Sequence, residues 1–298
     1  MTNSHKVLRD GSGFVLIAVL SVLALLSAMV IVLMGMSRGS VDAALLSSLE
    51  TRRQAMLQSG LSLAAYELLQ LGLAPDRVNG QQFRFDDGTI TLTVATDAGK
   101  VDLNASGKAL LAAAYRASGL TALSPQSFAG RVIDWRDTDE TEGEDGAEAS
   151  AYAEAKLDYR PRNASFRNID DLRWVMGVSA ADITALRGFL TVYNPRGRLN
   201  SYAAPAAIIA ALPKVATETV EEVVLARARP GTAASERLDD LLLVQASLVD
   251  TVPPVTYRVG IRALLKGASE AQRAEAVITA GVAAGSSFHV LYWSGDRR

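Results

Sequence analysis

A long uncharged apolar run, from Phe14 to Met36, constrains this chain more than any other feature. At ~1.5 Å of rise per helical residue the run reaches roughly 30 Å, the thickness of a bilayer's hydrocarbon core. Lys6 and Arg9 lie in the short polar leader before it, and short segments rich in Lys and Arg stay in the cytoplasm. The sequence therefore predicts a transmembrane helix over residues 14–36, with the N-terminus inside and the rest of the chain outside.

Two other kinds of segment share this hydropathy. A cleaved secretory signal has an apolar core of about 7–15 residues and a cleavage site of small residues. The present run is longer and lacks a clean site at its far end. A plain single-pass anchor fits the hydropathy equally well, and hydropathy alone leaves that alternative open.

The helical pattern continues beyond the apolar run. Residues 37–72 contain no proline, and their apolar residues recur at helical spacing, at Val41, Leu45, Leu49, Met56 and Leu63. This pattern predicts that an amphipathic continuation over residues 37–72 extends the first helix without a break. The alternative is a separate surface helix that begins after a break near Gly35 or Gly39.

Strand patterns occur early and late in the chain. Residues 82–85 and 89–94 alternate around an Asp-Asp-Gly turn and predict a hairpin. Residues 255–265, 272–282 and 287–293 predict a three-stranded meander. Residues 100–104 are a candidate extension of the same sheet. Residues 73–106 and 250–298 are therefore expected to form one antiparallel sheet domain.

Helical patterns fill the segment between the two groups of strands. Helices are predicted over residues 107–118, 217–227 and 234–247, and Asn200 is expected to tie down the turn that follows it. Residues 100–104 and 198–201 each precede an Ala-rich helix, which indicates an internal duplication. Residues 107–249 are therefore expected to form an α-helical insertion, and the chain as a whole is predicted to be α+β.

Residues 172–190 read as two short helices around a tight turn at Gly177, similar to a helix-hairpin-helix. DNA-binding hairpins carry a second glycine and following basic residues that approach the phosphates. Here Ser179 takes the place of the second glycine, and Ala181 and Asp182 follow it. A membrane-anchored DNA-binding protein therefore stays only as an alternative, and no nucleic-acid partner is expected.

An acidic stretch over residues 134–148 contains eight carboxylates and one arginine, Arg136. Carboxylates crowded in this way repel one another unless they stay solvated or bind a cation. Ca²⁺ takes about 6–8 oxygen ligands of the kind that such a stretch offers. The spacing is not that of an EF-hand, so the residues alone leave a solvated loop and a cation site open.

Few residues suited to catalysis are present. The chain has no cysteine and two histidines, His5 and His289, and its net charge is −2. A Cys/His zinc site is therefore excluded, and a Ser-His-Asp set would depend on His289, an ordinary residue of a predicted strand. The chain is expected not to be an enzyme, and a single-pass periplasmic enzyme stays as the weaker alternative.

The junction Gly11-Ser12-Gly13-Phe14 resembles the start of a type IV prepilin or pseudopilin. In that superfamily a prepilin peptidase cuts after the glycine. The resemblance implies a cytoplasmic leader over residues 1–13, cleavage between Gly13 and Phe14, and N-methylation of Phe14. Most members carry Glu five residues into the mature chain. Here Ala18 occupies that position, which suggests a subunit with no other stacked above it.

Four segments together resemble the GspK family, minor pseudopilins of the type II secretion system. They are the leader junction, the DW-x-D-x-D stretch from Asp134, the G-V-S hairpin at Gly177, and the R-x-N-x-x-x-A-P element from Arg198. The resemblance implies a pilin-like fold, in which the long N-terminal helix packs on the antiparallel sheet. It also implies a structural calcium ion, whose candidate ligands are Asp134, Asp137, Asp139, Asp145 and Glu148.

The same resemblance implies work in assembly. A family member is anchored in the cell inner membrane with its main domain in the periplasm. It then lies at the tip of the pseudopilus, where it initiates assembly and supports export of folded proteins. The implied partners are the minor pseudopilins GspI and GspJ, prepilin peptidase and the inner-membrane assembly platform. Secreted cargo and the outer-membrane secretin are further candidates.

Overall fold

The computed structural model describes residues 12–228, 231–281 and 287–295. The chain divides into two compact units, Met1–Gln58 and Ser59–Arg298. Of the predicted leader, residues 1–11 lie outside the described residues, and so do residues 282–286 of the predicted meander.

The described residues form nine α-helices and nine strands. The helices are α1 (Ser12–Ala65), α2 (Pro75–Val78), α3 (Lys108–Ala117), α4 (Pro125–Arg136), α5 (Ala149–Glu154), α6 (Ala180–Leu186), α7 (Ala206–Ala211), α8 (Thr217–Arg227) and α9 (Thr232–Leu241). The strands are β1 (Gln82–Phe85), β2 (Gly88–Ala95), β3 (Val101–Asp102), β4 (Leu190–Thr191), β5 (Leu199–Asn200), β6 (Val249–Asp250), β7 (Thr256–Leu265), β8 (Gln272–Ala280) and β9 (Phe288–Gly295). Short 3₁₀ helices occupy Ile169–Trp174 and Leu243–Gln245, and a π-helical turn occupies Tyr66–Gln70.

Helix α1 is one continuous α-helix. The prediction of a single helix is confirmed, and the alternative of a break near Gly35 or Gly39 is wrong. The α-helix ends earlier than predicted, at Ala65, where the π-helical turn begins. Among the described residues, Phe14–Val32 is long and apolar enough to cross a membrane, and its side chains are exposed.

A five-stranded antiparallel sheet has the strand order β1-β2-β7-β8-β9. The predicted hairpin and the described part of the meander are confirmed to within two residues. Ile90 and Ile261 lie on the buried face, against the end of α1 that belongs to the second unit. At Gly60 a Cβ atom would lie 2.6 Å from the Ile261 Cγ2 and 3.0 Å from the Ile90 Cγ2. A glycine at this position therefore lets the helix approach the sheet closely.

The expectation that residues 100–104 extend this sheet is wrong. β3 instead pairs in parallel with β4, and β5 pairs in parallel with β6. In each pair the first strand precedes an Ala-rich helix, α3 or α7, and Asn200 Oδ1 accepts hydrogen bonds from the Tyr202 and Ala203 N–H groups. The structure therefore supports the duplication and confirms the role of Asn200 in its turn.

The region between β2 and β7 is mostly helical and has its own hydrophobic core. Largest among its fully buried side chains are Tyr115, Phe128, Tyr152 and Leu172. The helices predicted over 107–118 and 217–227 are confirmed as α3 and α8. The second helix of the predicted hairpin does not extend to Leu190, because α6 ends at Leu186 and Leu190 belongs to β4. The helix predicted over 234–247 is shorter, ending as α9 at Leu241 before a 3₁₀ turn.

Candidate cation site in the acidic loop

Helix α4 positions the first carboxylate of the acidic stretch. The Ser124 side chain caps its N-terminus by accepting a hydrogen bond from the Ser127 N–H. Asp134 lies in the last turn and is only 2% exposed. Trp135 packs beneath the loop, with ring centroids 6.4 Å from Tyr152 and 6.2 Å from Phe166. The helix therefore places Asp134 on the inner side of the loop that follows.

Asp134 holds the acidic loop closed. Its Oδ2 accepts hydrogen bonds from the Gly143 N–H (3.2 Å) and the Ala147 N–H (2.8 Å). At Gly146 a Cβ atom would lie 1.9 Å from the same oxygen, so the close approach requires glycine. Burial raises the pKa of Asp134 in spite of these hydrogen bonds. The loop is therefore folded around this carboxylate.

Glu148 is the least compensated acid of the loop. It is 2% exposed, and neither of its carboxylate oxygens has a hydrogen-bond partner among the described residues. Burial and, after it, the charges of Asp134 and Asp137 raise the pKa of Glu148 to about 7. Asp137 also has one buried oxygen without a partner in this part of the chain, and burial raises its pKa too. Both oxygens of Glu148 and one oxygen of the half-buried Asp137 are therefore left without a hydrogen-bond donor among the described residues.

The other candidate ligands lie nearer the surface. Asp139 Oδ1 accepts a hydrogen bond from the Thr141 N–H at 2.8 Å. Asp145 lies 3.4 Å from the Lys108 Nζ, which also contacts Glu144. The guanidinium of Arg136 donates to the carbonyl oxygens of Leu103 and Ser106 rather than to a carboxylate. The basic groups near the loop therefore do not neutralise Glu148.

A divalent cation fits the unpaired carboxylates of this loop. Buried anionic oxygens without donors are costly, and hard cations bind such oxygens together with loop carbonyls. Within the described ranges, no three Asp, Glu or His side chains are already arranged to hold a metal ion. A cation would therefore have to draw Glu148 and Asp137 together.

Sequence reasoning missed a second buried polar cluster, around Asp97. This carboxylate is 3% exposed and accepts from the Arg258 Nη2 at 2.6 Å and from the Thr191 hydroxyl at 2.9 Å. Arg258 also donates to Glu275, at 2.5 Å. Burial favours a higher pKa for Asp97, but the hydrogen bond from Arg258 and the charge of Lys100 together lower it. The cluster joins strand β7 of the sheet to strand β4 of the helical region, and no local pattern could have shown it.

Replacing Asp97 with Asn should destabilise the protein by about 3 kcal/mol, because removing one partner of a buried ion pair leaves the other uncompensated. A carboxyl group whose pKa is lowered by folding stabilises the protein at pH values above its unfolded-state pKa, which is near 3.8. That contribution is lost as the pH falls through the folded-state pKa. Thermal unfolding at pH 7 and below pH 4 measures both effects. Asp87→Asn, in the exposed β1–β2 turn, is the matched control. If Asp97→Asn lowers the stability by the same amount at both pH values, the proposed role of the Asp97 charge is wrong.

The hairpin around Gly177 packs inward. Gly177 has φ +84°, and a Cβ atom there would lie 2.7 Å from the Arg131 Nη1. Arg131 donates to the Met176 carbonyl, and the Met176 N–H donates to the Tyr152 hydroxyl. Ser179 and Asp182 form a capping box at the start of α6. Side chains of the helical region therefore occupy the place where a phosphate would approach the turn.

An apolar N-terminal helix, an antiparallel sheet and a helical region between its strands define an α+β protein. Residues 92–195 match the family model described as "Type II secretion system (T2SS), protein K". The resemblance to the GspK family that the sequence motifs indicate is thereby confirmed.

One relative and one solved structure are also similar to this chain. The chain is 31% identical over 138 residues to the type II secretion system protein K of Pseudomonas aeruginosa, an alignment covering 46% of this chain and 40% of the relative. The chain thus spans about two fifths of that relative's length. A chain of the crystal structure of the GspK-GspI-GspJ complex from enterotoxigenic Escherichia coli has a TM-score of 0.55 at 16% identity. That likeness covers 84% of this chain and 100% of the other, and it supports the fold.

Proposed function

We propose that this chain is a minor pseudopilin at the tip of a type II secretion pseudopilus, where it initiates assembly and supports the export of folded proteins. The observation that carries the proposal is the family match over residues 92–195, most of which lie in the helical region between β2 and β7. Its work is assembly rather than catalysis.

A tip position agrees with the bulk of the helical region. A pilin-like subunit inside a filament is covered by the subunit above it, and an insertion as large as residues 96–255 leaves little room for that neighbour. Ala18 fits the same position, because it lacks the carboxylate that would neutralise a neighbouring terminal amine. The exposed apolar segment Phe14–Val32 anchors the precursor in the inner membrane, with its N-terminus cytoplasmic and its main domain periplasmic.

The proposed partners follow from the same position. GspI and GspJ are the first, because the solved complex that this fold resembles contains them with GspK. Prepilin peptidase cuts between Gly13 and Phe14, and Phe14 is then N-methylated. The inner-membrane assembly platform, secreted cargo and the outer-membrane secretin complete the set.

We also propose a structural calcium ion in the acidic loop. Glu148 and Asp137 supply the buried oxygens without partners, and Asp134 keeps the loop closed around them. Asp139 and Asp145 remain candidate outer ligands, the second only if it leaves Lys108. Calcium would supply the positive charge that the surrounding side chains do not.

The DNA-binding alternative has no observation in its favour, since side chains of the helical region cover the hairpin turn at Gly177.

The proposed function is tested by deletion and by reconstitution. Deleting the gene should abolish secretion of folded substrates, and the wild-type gene should restore it. Co-expression with GspI and GspJ of the same organism should give one complex on size-exclusion chromatography. Normal secretion in the deletion strain, or separate elution of the three proteins, would refute the proposal.

A further inference from the structure

The face of the five-stranded sheet that points away from Gly60 carries two opposed arginines. Arg262 on β7 and Arg273 on β8 are direct cross-strand partners, and both are exposed. Like charges directly opposite each other destabilise a sheet. Neither arginine has a carboxylate partner among the residues that the structure describes. This pair therefore has an uncompensated positive charge on an open surface.

A hollow of about 940 Å³ lies beside the two arginines. Gly260 contributes no side chain to its floor, and a Cβ atom at this residue would lie 2.3 Å from the Thr93 Oγ1. Glu275 is the one carboxylate among the described lining residues, and it already accepts from the Arg258 Nη1 at 2.5 Å. Among the described residues the hollow therefore offers two guanidinium groups without a carboxylate partner, and its one acid is already paired with Arg258.

The edge strand β9 forms one side of the hollow. Ser294 lines it beside its cross-strand partner Glu275, whereas Trp293 pairs with Ala276 and its side chain therefore lies on the opposite face of the sheet. Val290, Leu291, Tyr292 and Trp293 are all exposed. An exposed apolar edge strand invites pairing with another chain unless it is covered. Arginine is also among the residues that most often dominate protein interfaces. The hollow and the strand edge thus form one continuous surface.

We propose that this surface binds an extended acidic segment of a partner protein. The segment lies along β9 and directs its carboxylates into the hollow, to Arg262 and Arg273. Charge complementarity selects an acidic partner. A nucleic acid is a poorer fit, because the chain has a net charge of −2 and polyanion binding depends on many basic contacts. This site is separate from the acidic loop and extends the proposed function.

The test uses the full-length chain in neutral detergent and a labelled peptide of alternating glutamate and valine, followed by fluorescence anisotropy. Arg262→Glu and Arg273→Glu should each weaken binding by roughly tenfold or more, because opposite charge becomes like charge. Trp293→Ala changes a side chain on the opposite face of the sheet and should leave the affinity unchanged. Arg160→Glu makes the same change of charge at an exposed residue of the helical region and should leave the affinity unchanged.

Three results would overturn the proposal. One is no binding of the acidic peptide to the wild-type chain. The second is binding that Arg160→Glu weakens as much as Arg262→Glu does. The third is equally tight, equally arginine-dependent binding of a DNA duplex, which would make the surface a general polyanion site. A lysine-valine peptide of the same length should not bind, and circular dichroism of each variant checks that it is folded.

Discussion

Calcium should raise the melting temperature of the full-length protein by about 5–10 °C over the value in chelator. A ligand that binds only the folded state stabilises it by about 2.7 kcal/mol at a hundredfold excess over its dissociation constant. In a chain of this size each kcal/mol corresponds to roughly 2–4 °C. The physical source is the loop itself, where Glu148 and Asp137 have buried oxygens without donors in the described structure. Differential scanning fluorimetry of the protein in detergent measures the shift.

Glu148→Gln should separate a cation site from ordinary loop packing. The raised pKa of Glu148 means that its ionised form is disfavoured in the folded state, so replacing it with a neutral amide relieves repulsion. In chelator at pH 8 the variant should therefore be more stable than the wild type. In calcium the order should reverse, because the variant lacks a ligand charge. If Glu148 only packed against its neighbours, Glu148→Gln would lower the melting temperature both in chelator and in calcium.

Glu144→Gln is the matched control for this experiment. Glu144 belongs to the same loop, but its side chain is exposed and contacts Lys108. This variant should keep the calcium response of the wild type. If the wild type melts at the same temperature with calcium and with chelator, the acidic loop is a solvated loop and the cation site is refuted. Magnesium at equal concentration tests selectivity, since Mg²⁺ requires a tighter octahedral site.

The crowding of the acids was predictable from the sequence, but their separate environments were not. Eight carboxylates in one stretch indicate either a solvated loop or a loop that binds a cation, and this holds for any fold. Which acid is buried depends on how the chain returns over α4. Asp134 is held by amides nine and thirteen residues later, and Asp145 reaches Lys108 across thirty-seven residues. Glu148 is buried by the same folding, and spacing alone could not distinguish it from its neighbours.

Local patterns predicted the elements that have a long regular pattern of apolar residues or whose pairing partners lie close in the sequence. The absence of proline and the regular apolar spacing were sufficient for α1, and strict alternation was sufficient for β7 and β8. Residues 100–104 have the same alternation but only two of them, Val101 and Asp102, form a strand, and their partner lies about ninety residues away in β4. Such a parallel pairing has no local signature.

Helix α4 was missed because the acidic pattern was read as a loop from Asp134 onward, although α4 extends to Arg136.

The Asp97 cluster connects the two parts of the second unit that the sequence separates. Arg258 lies near the start of β7, where the chain returns to the sheet, and it pairs with a carboxylate at the start of the region between β2 and β7. Thr191 donates to the same carboxylate from the end of β4. The insertion is therefore fixed to the sheet at its point of entry. A movement of the helical region would have to break a buried ion pair, which favours a rigid connection.

The strongest prediction concerns the junction between Gly13 and Phe14. Glycine has no side chain, and the proposed peptidase cuts directly after it. A β-branched residue at this position would put two additional carbon branches beside the scissile bond. The apolar segment that begins at Phe14 is unchanged by such a substitution, so the proposed insertion into the membrane and its orientation should be preserved. Only maturation should fail.

Gly13→Val should therefore abolish cleavage in cells that carry a prepilin peptidase. Intact mass and N-terminal sequencing should show a wild-type chain that starts at N-methylated Phe14 and a variant that retains residues 1–13. Gly39→Val makes the same chemical change later in α1 and should mature normally. A wild-type chain that still starts at Met1 would leave a plain membrane anchor, and one that starts beyond Ala28 would indicate a secretory signal. Because an uncut subunit keeps its cytoplasmic leader and cannot leave the membrane for a filament, the variant should also fail to restore secretion in a deletion strain.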